Sequence, residues 1–112
     1  MEGEILKGHL DMIVLAALES GAAHGYAVIE RIRARSGGAF NLPEGTVYPV
    51  LHRLEEMRML ESRWEMSPVG RRRRVYSVTS RGSVELADRR TRWSQFSDVI
   101  GRFLGEGLPC PI

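Results

Sequence analysis

Three helical periodicities, two strand-like runs around a basic turn and a long terminal helical run define the pattern of this chain. They predict a mainly α fold with a small β-hairpin, a winged helix-turn-helix followed by a C-terminal dimerisation helix. Residues 70–76 read Gly-Arg-Arg-Arg-Arg-Val-Tyr, a glycine turn leading into a strand. Upstream, residues 45–55 read Gly-Thr-Val-Tyr-Pro-Val-Leu-His-Arg-Leu-Glu, a helix with a small polar and aromatic leading face. At 112 residues with 43% apolar content, the chain has the size of one ordinary domain. Within it, residues 1–79 form the expected winged unit, 80–104 the terminal helix and 105–112 a flexible tail.

The first helix is expected from His9 to Glu19, because Leu10, Ile13, Val14, Ala17 and Leu18 recur on one face and Gly21 stops it. A second begins at His24 or Gly25, carries Tyr26, Ile29 and Ile32 on its apolar side, and ends at Ser36-Gly37-Gly38. The third begins between Glu44 and Thr46 and runs to about Met59, with Val47, Leu51 and Leu54 inward. Pro49 is tolerated if it lies in the first turn, where a missing N–H does no harm, and Thr46 is then the expected cap. Two strands follow, Glu61–Met66 and Arg73–Thr79, joined by a loop that forms the wing. Thr79 or Ser80 caps the last helix, which reaches Leu104.

Charge is unevenly distributed. The net formal charge is only +2, yet Arg63 to Arg92 holds nine arginines against three acids, while acids outnumber bases before Arg63. Arginine suits phosphate because its planar fork offers several donors and sheds water readily. Such a patch points to a polyanion, and four consecutive arginines after a turn glycine fit a merely solvated face poorly. No apolar run approaches a membrane span, and the acidic start Met1-Glu2-Gly3-Glu4 does not resemble a secretory signal. The single cysteine, Cys110, forms no intrachain disulfide, so a cytoplasmic location is expected. His9, His24 and His52 are scattered and no Cys/His set has metal spacing, so neither an enzyme, a metal nor a cofactor is expected.

With Val47, Leu51 and Leu54 turned inward, Gly45, Tyr48, Pro49, His52 and Glu56 lie outward. A helix that reads a major groove uses its leading end in this way, with polar groups at base edges and N–H groups at phosphate. Thr46, Tyr48 and His52 are candidates for base or phosphate contacts, and Arg53 for the backbone. Residues of a strand alternate sides, so Arg71, Arg72, Arg73 and Arg74 cannot all face one phosphate row. Those at the loop tip suit the minor groove and the others suit phosphates, with Arg63 and Arg81 widening the patch. An ordinary amphipathic surface helix remains an alternative for Tyr48 and His52. A winged helix used for protein docking, without specific DNA binding, remains one for the whole chain.

On the last helix, Leu86, Trp93, Phe96, Ile100 and Phe103 are spaced seven, three, four and three, a heptad-like seam. A compact three-helix core cannot cover a helix of about 25 residues, so a second copy of the chain is the expected partner. Folding of this helix back onto its own domain is the competing arrangement.

Three motifs carry a resemblance. His24-Gly25-Tyr26 opens the second helix. Gly45-Thr46-Val47-Tyr48-Pro49 precedes Leu51-His52-Arg53-Leu54-Glu55, and Gly70-Arg71-Arg72-Arg73 precedes Tyr76 and Thr79. In this order, over roughly Ile5 to Phe103, the chain resembles the PadR family of bacterial transcriptional regulators, in its shorter branch with one C-terminal helix. The resemblance implies a homodimeric winged-helix repressor paired through that helix, and the twofold symmetry of such a dimer fits a palindromic DNA operator. It also implies an aromatic small-molecule effector between subunits, with Trp93 and Phe96 as the candidate stacking plates. For this chain, simple packing of both rings in the dimer core is the preferred reading, and the effector site the alternative. Cys110 matches no family motif.

Overall fold

The structure is a computed structural model that describes residues 6–105. Its elements run α1 (Leu10–Glu19), β1 (Ala23–His24), α2 (Gly25–Arg35), α3 (Glu44–Glu56), β2 (Leu60–Met66), β3 (Arg72–Val78) and α4 (Ser80–Phe103). The expected tail and Cys110 lie outside the described residues, apart from Gly105.

α1, α2 and α3 pack around a core of Val14, Leu15, Leu18, Val28, Ile29, Ile32, Val47, Val50, Leu51 and Leu54. Leu60 and Tyr76 close it from the sheet and Leu86 from α4. Full burial of one such aliphatic side chain stabilises by roughly 1.5–3 kcal/mol, so this cluster holds the three helices together. Arg31 reinforces the α1 C-terminus by donating to the carbonyls of Ala17 (3.1 Å) and Gly21 (2.7 Å). A cation at that end also meets the negative pole of the helix.

The sheet has three strands in the order β1-β3-β2, all antiparallel. Only the β2–β3 hairpin was legible as strand. β1 is two residues long, too short for an alternating pattern, and it forms because β3 leaves one edge free to pair Ala23 with Tyr76 and His24 with Val75. Tyr26, expected on the apolar side of α2, is instead 57% exposed, and Val28 takes the inward place.

α3 starts within the expected range but departs from expectation in its cap and at its C-terminal end. It starts at Glu44 with Pro43 in the cap position and no side-chain cap, and the N–H of Thr46 donates to the Pro43 carbonyl. Thr46 is therefore inside the helix, and Pro49 is the sixth helical residue, past the first turn. The ring of Pro49 removes the bond that its position would give to the Gly45 carbonyl. At the other end the helix stops at Glu56, short of Met59, because Arg58 adopts φ 62°. The Met59 N–H then reaches back to the Leu54 carbonyl at 2.9 Å, a left-handed closure with arginine where glycine is usual.

α4 begins as expected. Thr79 Oγ1 accepts the Gly82 N–H (3.0 Å) and donates to the Arg58 carbonyl (2.7 Å). Gly82 sits so close to the α3–β2 turn that a Cβ there would lie 2.1 Å from the Met59 carbonyl oxygen. Beyond Leu86 the helix rides over α1 on Arg90, which grips Glu19 with two bonds (2.9 and 2.6 Å), and on Trp93, edge-on to His9. Its distal turns leave the body, and the chain measures 56 × 28 × 26 Å.

Candidate nucleic-acid interface

The outward face of α3 carries the residues that its periodicity predicts: Gly45, Tyr48, Pro49, His52 and Glu56 are all exposed. Tyr48 owes its position to Gly25. A Cβ on Gly25 would stand 2.3 Å from Cε1 of the Tyr48 ring, so only glycine lets the phenol lie against the start of α2. Partial burial, and then the nearby Glu44, push the Tyr48 hydroxyl pKa up, which keeps it a proton donor at neutral pH. His24, just before Gly25, caps α2: its Nδ1 accepts the Ala27 N–H at 3.2 Å. Burial, then Arg73 and Arg31, depress its pKa and keep that nitrogen's lone pair free.

Opposite stands the wing. Ser67 closes its turn: its N–H donates to the Arg71 carbonyl (2.7 Å), its Oγ accepts the Arg71 N–H (3.1 Å), and Gly70 supplies φ 83°. The hairpin pairs Trp64 with Arg74, Glu65 with Arg73 and Met66 with Arg72. Alternation therefore puts Arg72, Arg74 and Trp64 on one face and Arg73 on the other. The guanidinium carbons of Arg72 and Arg74 lie 4.7 and 5.0 Å from the Trp64 ring centroid. Arg74 Nε donates to Ser62 Oγ (2.8 Å), and that hydroxyl donates to Glu55 Oε2 of α3 (2.5 Å).

Helix and wing enclose one cleft. Tyr48 and His52 of α3, Trp64 and Arg72 to Arg74 of the wing, and His24 and Tyr26 at the start of α2 all line it. Among the described residues, Arg71, Arg72 and Arg73 have no carboxylate partner, and Arg74 has only Glu55 at 3.8 Å. Arg73 Nε is buried without a hydrogen-bond partner.

Not every expected residue joins the cleft. Arg53 is ion-paired with Asp11 of α1, which also lies 3.8 Å from Arg89 of α4, so its charge is already engaged within the fold. Arg63 is held by Glu65 at 2.6 Å. Thr46 is half-buried and faces a separate groove beside Leu6 and Phe40. Gly45 is exposed at the start of α3. Conversely, the sequence reading missed His24, Tyr26 and Trp64 as cleft residues. The alternation of β2 against β3 was the signal for Trp64, but it becomes specific only once the register is known.

The terminal aromatic set splits. Leu86, expected at a dimer surface, is 1% exposed and belongs to the core of its own chain. Trp93, Phe96, Ile100 and Phe103 are exposed, Phe103 by 85%. Trp93 and Phe96, 6.3 Å apart, line an open groove with His9, Met12, Arg89 and Arg92. No group of His, Cys, Asp or Glu among the described residues is arranged to hold a metal. Nor is any described helix long and apolar enough to cross a membrane.

Comparison with known proteins agrees with this architecture. A protein of Lysinibacillus sphaericus known only as uncharacterised protein X is 31% identical over 108 residues, covering 96% of this chain and 98% of its own. The solved structure of a transcriptional regulator from Clostridium thermocellum superposes with a TM-score of 0.83 at 25% identity, over 92% of this chain and 97% of that one. Bacillus subtilis PadR, solved in complex with operator DNA, shares the fold with a TM-score of 0.64 at 23% identity, over 70% of this chain and 45% of that one. The sequence model of the transcriptional regulator PadR-like family matches residues 14–88. With its winged helix and its basic cleft, the chain belongs to the PadR-like family of transcriptional regulators and is not an enzyme.

Proposed function

We propose that this chain is a homodimeric repressor that binds a palindromic operator in the cytoplasm. α3 enters the major groove with Tyr48 and His52 at base edges, and the wing reaches the flanking minor groove with Arg71 at its tip. The phosphate backbone between the two grooves runs through the cleft, against Arg72, Arg73 and Arg74. The observation that carries this reading is the set of wing arginines without close carboxylate partners, facing Tyr48 and His52 across one cleft. The Bacillus subtilis relative, crystallised on operator DNA, supports the same use of the fold. Pairing through the exposed apolar face of α4 supplies the twofold symmetry that a palindrome requires. An aromatic effector stacking on Trp93 and Phe96 would act at that same helix, and its binding would quench tryptophan fluorescence and release DNA.

Fluorescence anisotropy with a labelled random-sequence duplex at two salt concentrations tests the core of this reading. Strong binding at low salt, falling steeply as salt rises, is expected. Arg72→Ala with Arg73→Ala should weaken binding to every sequence and reduce the log–log salt slope by about one per lost phosphate contact. Tyr48→Phe should reduce discrimination between operator and random DNA more than the wing variant does. A chain with no salt-dependent affinity for duplex DNA would be a protein-docking module instead.

A further inference from the structure

We propose that Trp64 is a positioning residue for DNA binding, a plate that holds the guanidinium groups of Arg72 and Arg74 at a fixed offset from α3. The inference rests on the reading of the cleft as a DNA site. Trp64 is 53% exposed and lies outside the core cluster, so core packing does not account for it. Its cross-strand partner is Arg74, and Arg72 is the next residue of β3 on the same face. Two like charges at that spacing repel, and each sits on a long side chain with many rotamers. A ring quadrupole within 5.0 Å of both attracts each cation and so restrains the pair.

The restraint is tied to the recognition helix. Arg74 is bonded to Ser62, and Ser62 to Glu55 of α3, which gives the wing a register relative to Tyr48 and His52. Among the described residues Arg72 has no carboxylate partner and Arg74 has only Glu55 at 3.8 Å, so the indole restricts the motion of both while leaving the charge of Arg72 unneutralised. Restricting donors before the ligand arrives lowers the entropy lost on binding. Trp64 thus acts through the arginines and need not touch DNA.

The test uses the whole chain, a fluorescein-labelled random-sequence duplex, and anisotropy titrations at two salt concentrations. Trp64→Leu keeps an apolar side chain but removes the π face. It should weaken binding about threefold to tenfold and lower the salt slope, with the thermal midpoint unchanged. Trp64→Tyr should restore most of the affinity. In an Arg72→Ala, Arg74→Ala background, Trp64→Leu should have no further effect. The proposal is overturned if Trp64→Leu binds like the wild type, if tyrosine rescues no better than leucine, or if the loss persists without the two arginines. A wild-type chain that fails to bind duplex DNA overturns the underlying reading as well, and that result is read before any Trp64 variant is made.

Discussion

Histidine 24 shows how one side chain can serve the fold and the site together. Its Nδ1 caps α2 only while unprotonated, and burial with Arg73 and Arg31 holds its pKa below the ordinary value of about 6.5. The folded-state value is depressed, so the unfolded chain takes up the proton first and stability rises with pH across that gap. The contribution is complete above about pH 6.5 and is lost as pH falls through the folded value. Thermal midpoints at about pH 7.5 and about pH 5.5 should therefore diverge in the wild type. His24→Asn, a cap that does not titrate, should narrow that difference. An unchanged difference would remove His24 from the account. Gly25, the next residue, matters for another reason: it makes room for the Tyr48 ring, which explains in steric terms why the two motifs occur together.

Where α3 ends and α4 begins, the chain closes a tight joint, with Gly82 against the Met59 carbonyl. Thr79 closes this joint with one hydroxyl, which accepts from Gly82 and donates to the Arg58 carbonyl while its N–H bonds the Met59 carbonyl. Thr79→Ala keeps the backbone bond and removes both side-chain bonds. A loss of about 1–2 kcal/mol in denaturant unfolding is expected, the sum of a helix cap and a partly exposed hydrogen bond. Thr79→Ser should recover most of it. The cap itself was readable from sequence, since threonine preceding a helical run is a strong start signal. The α3 start was readable only to within Glu44–Thr46, and its cap was not, because Pro43, Glu44 and Thr46 each satisfy some rule for a helix beginning. The loop carbonyl geometry around Pro43 decided among them.

The whole molecule is a winged body with a helical arm. The arm is anchored as far as Trp93 by Leu86, Arg90 and Trp93, and its remainder exposes Phe96, Ile100 and Phe103. If that face pairs two copies, Ile100→Glu with Phe103→Glu should halve the mass measured by sedimentation and leave the thermal stability of the winged body nearly unchanged. Affinity for a palindromic site should then fall far more than affinity for a single half-site. Retention of the wild-type mass would show that pairing, if any, uses another surface.

Within one chain, periodicity of 3.6 or 2 determined which segments became helix or hairpin, and Thr79 where α4 begins, because those signals are local. Composition likewise marked the arginine run as the candidate polyanion-facing segment. Tertiary structure alone decided the rest. It paired Arg53 with Asp11, 42 residues away, and it turned Leu86 inward while leaving its heptad neighbours outside. It also laid Arg72 and Arg74 against Trp64 and added a two-residue strand to a free sheet edge. Each of these depends on which distant surface arrives opposite a residue, and local spacing carries no information about that arrival.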